Sequence, residues 1–352
     1  MSNIYFYIDP KFYKIHEFPI NYTKLLIITN YIYTNFNIKI SLITNLENVN
    51  KNSIIIPSYL KEQPELYKYN FVNTFYNHPK LYDYLDNKET CYSLIKEFDL
   101  KIPLVNTFKN DKYSENELIN FLNENNKYNF FIFKKKTSFG SLDIFVFKRE
   151  NVLNQYKSKN YQDYIIQPYL EDYKVHSINL LASNGKILEC LVTSQENNFS
   201  KDNLFGKNIF KVERQFLNKN NKNYNQIINS TKILLEKTNY SGFMEIEFLC
   251  NNEVLLLEVN PRISGHMLNL DDENNLVYID TLIIKYIDFF QNEKRNNRFQ
   301  KISKKIKQKL NKNPKLYNHS QLIIFITKII AAIIVLTIMI FFIYHIYSIV
   351  NK

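Results

Sequence analysis

The chain opens on short apolar, β-branched runs broken by polar residues: KLLIIT at 24–29, IKISLIT at 38–44, SIIIP at 53–57 and YNFVNTF at 69–75. Apolar runs of this length, bounded by turn formers, predict buried strands of an α/β layer, with the helices between them poorly marked. From Asp86 to Asp99 the period changes. Cys91, Leu94, Ile95 and Phe98 fall at i, i+3, i+4 and i+7, one face of a helix. NFFIFKKK (129–136), LDIFVFKR (142–149) and YIIQPYL (164–170) predict further strands. VHSINLLASNGKILECLVTS (175–194) predicts a hairpin, because Asn184 and Gly185 supply the positive φ angles of a tight turn. A helix over 226–239 leads through Gly242 into MEIEFLC and then VLLLEVNPRISGH, two strands joined by Asn251 and Asn252. Strand pair, helix, strand pair describes an α+β domain packed beside the α/β one.

The last apolar run is of another kind. Residues 329–349, IIAAIIVLTIMIFFIYHIYSI, carry no acidic or basic side chain except His345. At about 1.5 Å per residue such a helix spans a hydrocarbon core of about 30 Å. Tyr344 and Tyr347 fall near one end, where interfacial aromatics sit. Before it lies KRNNRFQKISKKIKQKLNKNPK (294–315), whereas only Asn351 and Lys352 follow the expected helix. The positive-inside tendency then predicts a tail-anchored protein whose large N-terminal part faces the cytoplasm. The cationic stretch either lies on an anionic leaflet through Ile302, Ile306 and Leu310 or is a solvated linker.

Composition sharpens this division. With 352 residues, 45% of them hydrophobic, the chain can bury one or two substantial cores. Its net charge of +11 belongs to the tail, for twelve of the 45 Lys and Arg fall from Lys294 onward, leaving 33 against 34 acidic residues before it. A body without net positive charge speaks against nucleic acid as a partner. Cys91, Cys190 and Cys250 show no ligand spacing and fit packing residues in a reducing compartment. The N-terminus, MSNIYFYIDPKFYK, has no basic region followed by an apolar run of signal-peptide length.

Candidate chemistry gathers in the last strand pair. Side chains two apart on a strand share a face, so Glu245 and Glu247 point one way, as do Glu258 and Asn260. If the strands pair, carboxylates and an amide collect on one side, and such a cluster is costly unless something positive sits within it. Hard oxygen ligands at this density suit Mg²⁺, or Mn²⁺, together with phosphate oxygens. His78, Ser264 and His266 invite a hydrolytic reading, but no G-x-S-x-G elbow supports it.

Glu258, Asn260, Pro261 and Arg262, in LLLEVNPRISG, resemble the E-x-N-P-R signature of the ATP-grasp superfamily, most closely its carbamoyl-phosphate-synthase-like and D-alanine-ligase-like carboxylate-amine ligases. GFMEIEF is similar to the acidic strand before it. The resemblance implies Glu247 and Glu258 as magnesium ligands, Asn260 on the second metal or a phosphate oxygen, and Arg262 facing the transferred phosphoryl or the substrate carboxylate. Asn87 and Lys88 with KIPLVNTF resemble the segment that opens the grasp domain, making Lys88 a nucleotide contact. NFFIFKKKTSFGS resembles the strand and loop that grip phosphates, implying Lys134 on the α- and β-phosphates and Gly140 in the loop. YIIQPYLE resembles the hinge strand beside adenine, implying Gln167, Tyr169 and Leu170 around the base. The ribose position aligns with Lys174, and a short gap brings Glu171 or Asp172 there instead; His176 reaches the same cleft or is an ordinary strand histidine.

The implied organisation is an α/β pre-ATP-grasp domain over 1–85, an ATP-grasp domain over 86–292, a basic linker over 293–321 and a transmembrane helix over 322–350. The implied reaction uses ATP to activate a small-molecule carboxylate as an acylphosphate for attack by an amine or similar nucleophile. One departure leaves a second reading open. TSFGS holds one glycine where relatives carry several, so a catalytically impaired nucleotide-binding scaffold at a membrane also fits.

Overall fold

A computed structural model of the protein describes residues 3–291 apart from 14–16, 59–61, 76, 110–114, 138–143, 159–162, 197–212 and 265–272. These all fall in one compact unit, 1–292. Gly140, His266, the linker and the expected transmembrane segment lie outside the described residues. Among the described residues no helix is long and apolar enough to cross a membrane.

Strand β1 (Ile4–Tyr7), helix α1 (Glu17–Phe36), β2 (Ser41–Ile43) and β3 (Ile54–Pro57) build a parallel sheet of order β2-β1-β3. KLLIIT is therefore not a strand; it lies inside α1. Leu25, Ile28 and Ile32 are buried while Leu26 and Tyr33 are exposed, so a helical period runs through what reads as an unbroken apolar stretch. YNFVNTF is not a strand either. It follows helix α2 (Gln63–Tyr69) and meets the sheet through one bridge, Ile54 to Asn73. Helix α3 (Pro79–Asp86) comes next, and the helix expected from Asp86 starts two residues later as α4 (Lys88–Glu97). Asn87 separates the two in extended backbone and caps α4, its Oδ1 accepting from the Glu89 and Thr90 amides at 2.9 and 3.2 Å.

The next segment supplies β4 (Phe108–Lys109), α5 (Glu115–Glu124), β5 (Phe130–Lys135), β6 (Ile144–Lys148), α6 (Arg149–Ser158) and β7 (Tyr164–Pro168). The strands form an antiparallel sheet of order β4-β7-β5-β6. Phe131, Phe133 and Ile166 on one face pack with Leu118, Phe121 and Leu122 of α5 and Val152 of α6. Ile132 and Lys134 consequently point to the other face, as Ile165 and Gln167 do on β7.

A second antiparallel sheet has the order β10-β9-β8-β11-β12. It comprises β8 (Lys174–Ser183), β9 (Lys186–Glu196), β10 (Glu213–Phe216), β11 (Gly242–Cys250) and β12 (Val254–Asn260). Asn184 and Gly185, at φ of 48° and 74°, make the expected two-residue turn between β8 and β9. Helix α7 (Tyr224–Thr238) lies between β10 and β11 in sequence. Its Ile227, Leu234 and Leu235 share one core with Ile178, Met244, Ile246, Phe248 and Val259 of the sheet and with Cys91, Tyr92 and Ile95 of α4. Helix α8 (Glu273–Gln291) closes the unit. The hydroxyl of its Tyr286 donates to Ile55 O at 2.7 Å, accepts from Phe75 N at 3.0 Å and lies 2.7 Å from Thr74 Oγ1. Its ring stacks on Phe243 of β11 at 5.2 Å.

Candidate functional site

Alternation along β11 puts Met244, Ile246 and Phe248 into the core, and therefore Glu245 and Glu247 on the opposite face. Cross-strand pairs share a face, so Asn179 and Ser177 of β8, opposite Glu245 and Glu247, stand beside them. The other neighbour, β12, needs a correction of register. From the turn, Cys250 pairs with Val254, Leu249 with Leu255 and Phe248 with Leu256. Continued regularly, that ladder sets Glu247 opposite Leu257 and sends Glu258 into the α7 core. A bulge between Glu247 and Phe248 absorbs one residue of β12, so that Glu247 faces Glu258 and Glu245 faces Asn260. The hydroxyl of Tyr92 donates to the Leu256 and Leu257 carbonyls at 3.0 and 2.8 Å, where the bulge interrupts the ladder.

Positive charge comes from the other elements. Lys88, the first residue of α4, is buried with its Nζ 3.2 Å from Glu258 Oε2. Asn260 Nδ2 donates to Glu258 Oε1 at 3.2 Å and to Glu245 Oε2 at 3.5 Å. Burial works to raise the Glu258 pKa, but the Lys88 and Lys134 ammonium groups and the hydrogen bonds from Asn260 and Lys88 outweigh it, holding the carboxyl well below the usual carboxylate range. Lys134 is buried, and burial pushes its ammonium down to about 8, with Glu258 and Glu247 opposing that shift and Lys88 adding to it. The Lys134 face of β5 and the carboxylate face of β11 and β12 thus act on one another.

Arg262 is folded over the signature turn. Its guanidinium donates to Asn260 Oδ1 at 3.4 Å and to Ile263 O at 3.1 Å. Asp86, at the end of α3, is part of the same charge network: burial raises its pKa while Arg262 and Lys88 lower it. Ser264 Oγ donates to the buried Glu245 Oε1 at 2.7 Å, and Ser177 Oγ lies 3.5 Å from Glu247 Oε1. Among the described residues no three His, Cys, Asp or Glu side chains converge closely enough to hold a metal ion.

Glu247, Glu258, Asn260, Lys88, Lys134 and Arg262 are brought together. Gln167 lies on the cleft face of β7, fully buried, its amide donating to Thr107 Oγ1 at 2.9 Å and Tyr92 Oη at 3.2 Å. Leu170 packs with Val105, Leu255 and Leu257, and half-buried Tyr169 extends the ladder by donating to Phe130 O at 2.9 Å. Lys174 is not brought in. It pairs with Cys250, so it lies on the face of β8 opposite the carboxylates, exposed at the strand end. His176 shares that face; it is buried, its Nδ1 has no partner among the described residues, and burial pushes its pKa down to about 4. Ser177, Asn179, Asp86 and Tyr92 are members of the site region that sequence reading passed over. Ser177 and Asn179 carried a signal, being polar at i and i+2 in an apolar strand, whereas nothing local marked Asp86 or Tyr92.

Comparison with known proteins places this geometry in context. A protein-family model described as an ATP-grasp domain matches residues 85–266. No curated protein matches the sequence. Among solved structures, D-alanine–D-alanine ligase from Bacillus anthracis superposes with a TM-score of 0.55 at 10% identity, covering 82% of this chain and 96% of that one. D-cycloserine synthetase DcsG does so with 0.52 at 11% identity, covering 82% and 100%. N5-carboxyaminoimidazole synthetase from Staphylococcus aureus gives 0.52 at 12%, covering 75% and 71%. At these identities the likeness is one of fold.

Proposed function

This chain belongs to the ATP-grasp family, whose enzymes use ATP and Mg²⁺, and on that premise we propose that it is a ligase joining a small-molecule carboxylate to an amine at the expense of ATP. The observation that carries the reading is the placement of Glu258: paired with Lys88, opposite Glu247 across the β11/β12 bulge, and within the field of Lys134. The donor set fits a magnesium ion. Two carboxylates leave most positions of a hard cation to water and phosphate, which is how Mg²⁺ is ordinarily held; the Asn260 oxygen, which here accepts from Arg262 while Nδ2 faces Glu258 and Glu245, would join them on a turn of the amide. Glu247, Glu258 and Asn260 would hold it, and when bound it supplies charge neutralisation between the phosphates.

The residues of the chain do the rest by position and charge, as phosphoryl transfer requires. Lys88 keeps Glu258 ionised. Lys134, on the facing strand, presents a cation to the polyphosphate. Arg262 holds Asn260 through its Oδ1 and would face the transferred phosphoryl or the acceptor carboxylate. Gln167 and Leu170, with Ile132 and Ile165 on the Lys134 face of β5 and β7, would flank a planar base. The apolar run at 329–349 and the basic stretch before it support a membrane anchor with the catalytic unit on the cytoplasmic side.

Full-length protein with Mg-ATP and a panel of amino acids is expected to release ADP with some pair of substrates. Glu258→Gln should lower that release by at least about a hundredfold, since it removes an anionic ligand of the magnesium ion that would neutralise the phosphates. Turnover that survives the change removes the reading. The single glycine of TSFGS favours the second reading, a nucleotide-binding scaffold, and ATP binding without ADP formation under every substrate pair would select it.

A further inference from the structure

The first turn of α4 touches both sheets at once. Lys88 reaches Glu258 on β12, and its backbone N–H donates to Lys136 O at 3.0 Å, just past the end of β5. The next residue turns the other way: Glu89 Oε2 lies 2.7 Å from Lys136 Nζ, each side chain 14% exposed. Lys136 N in turn donates to Asp163 O at 2.7 Å, tying the same point to the start of β7. One turn along α4, Tyr92 repeats the bridging, holding Leu256 and Leu257 on β12 and accepting from Gln167 on β7. Lys136 follows Lys134 by two positions, one residue past the strand, and its backbone is held from both sides by Lys88 N and Asp163 O, so what fixes Lys136 also fixes the end of β5 that carries Lys134. Mostly buried, the Glu89–Lys136 pair is screened far less by salt than a surface pair.

We propose that Glu89 and Lys136 are positioning residues for the polyphosphate: their ion pair fixes the end of β5, and with it Lys134, against the same helical turn that delivers Lys88 to Glu258. The proposal rests on the nucleotide reading above. It separates two roles in one dipeptide, with Lys88 facing the reacting charges and Glu89 holding the opposite wall in register with them. A pair that serves stability alone would act on every ligand of the cleft equally. One that positions Lys134 acts on phosphates.

The test is calorimetric, on the full chain, with Mg-ATP and with adenosine as probes. Glu89→Gln and Lys136→Met are each expected to weaken Mg-ATP about tenfold, in the range of couplings between contacting charged groups, and to leave adenosine affinity where it is in the wild type. The exchange Glu89→Lys with Lys136→Glu should recover most of the loss. If Lys136→Met does not fold, Lys136→Arg serves: wild-type affinity is expected with Glu89 present, and about tenfold weaker Mg-ATP binding when combined with Glu89→Gln. Variants that bind Mg-ATP like the wild type overturn the proposal. Equal losses for adenosine and Mg-ATP also overturn it, as the mark of a merely structural pair. A wild-type chain that binds neither probe overturns the nucleotide reading itself, and the proposal falls with it.

Discussion

Lys134 stands buried among the charges of Lys88, Glu247 and Glu258. Its place at the end of an apolar strand was visible, and so was the pairing of Glu245 with Glu247 and of Glu258 with Asn260 by alternation. What the charges do to one another was not, because it depends on Lys88 arriving from a helix some 170 positions away in sequence. The outcome is a lysine poised to titrate. With its ammonium pushed down to about 8, Lys134 is charged below that pH and neutral above it. Affinity for a polyanion should therefore be level at lower pH and fall as pH rises through about 8, approaching a tenfold loss per pH unit for one coupled proton. Titrating Mg-ADP by calorimetry between about pH 6.5 and 9.5 checks this; Lys134→Met should bind weakly and show no such slope. The stability sign is opposite. Because the folded value lies below the ordinary lysine value, burial of the charged group costs stability below about 8, and the cost is relieved as pH climbs from there to the unfolded value. Lys174 marks the other limit: which face it takes relative to Glu247 follows from the β8/β11 pairing, and one strand alone does not carry that information.

Elements with a strong local signal appear where expected. The Asn184-Gly185 hairpin, α7, β5, β6 and β7 all match, because turn chemistry and periodicity decide them. KLLIIT misleads because a helix buried along one face can carry apolar residues on its flank as well, and Leu26 and Tyr33 of α1 do so in the open. The β11/β12 hairpin is the more instructive element. Its two strands could be predicted, yet the face on which Glu258 emerges is fixed by an irregularity of one residue. That irregularity has a keeper. Tyr92 gives its hydroxyl to the two carbonyls at the bulge and receives Gln167, so Tyr92→Phe should leave buried polar groups unpaired and cost about 1–3 kcal/mol. A shifted denaturant midpoint with unchanged slope would register it. An unaltered midpoint would mean the bulge is held by the strands themselves.

At the scale of the molecule, the parallel N-terminal sheet, the four-stranded sheet and the five-stranded sheet were anticipated as an α/β part followed by an α+β part, and the family match agrees. Helix α8 was not anticipated; the elements it packs against, α1, β3, β8 and β9, lie far from it in sequence. Tyr286 concentrates them: its hydroxyl serves Ile55, Thr74 and Phe75 while its ring stacks on Phe243. Tyr286→Phe keeps the ring and removes the hydroxyl, so a loss of about 1–3 kcal/mol is expected from the buried Phe75 amide and its neighbours, read as a lower melting temperature. An unchanged melting temperature would show that the amide finds another acceptor. The separation in sequence has a consequence for synthesis. The contact from Ile55 to Tyr286 spans 231 positions, and contacts of that kind close late and slowly. A chain stopped short of α8 would lack the acceptor that meets the Phe75 amide and the ring that stacks on Phe243, so the N-terminal layer gains these contacts only once nearly the whole unit has been made.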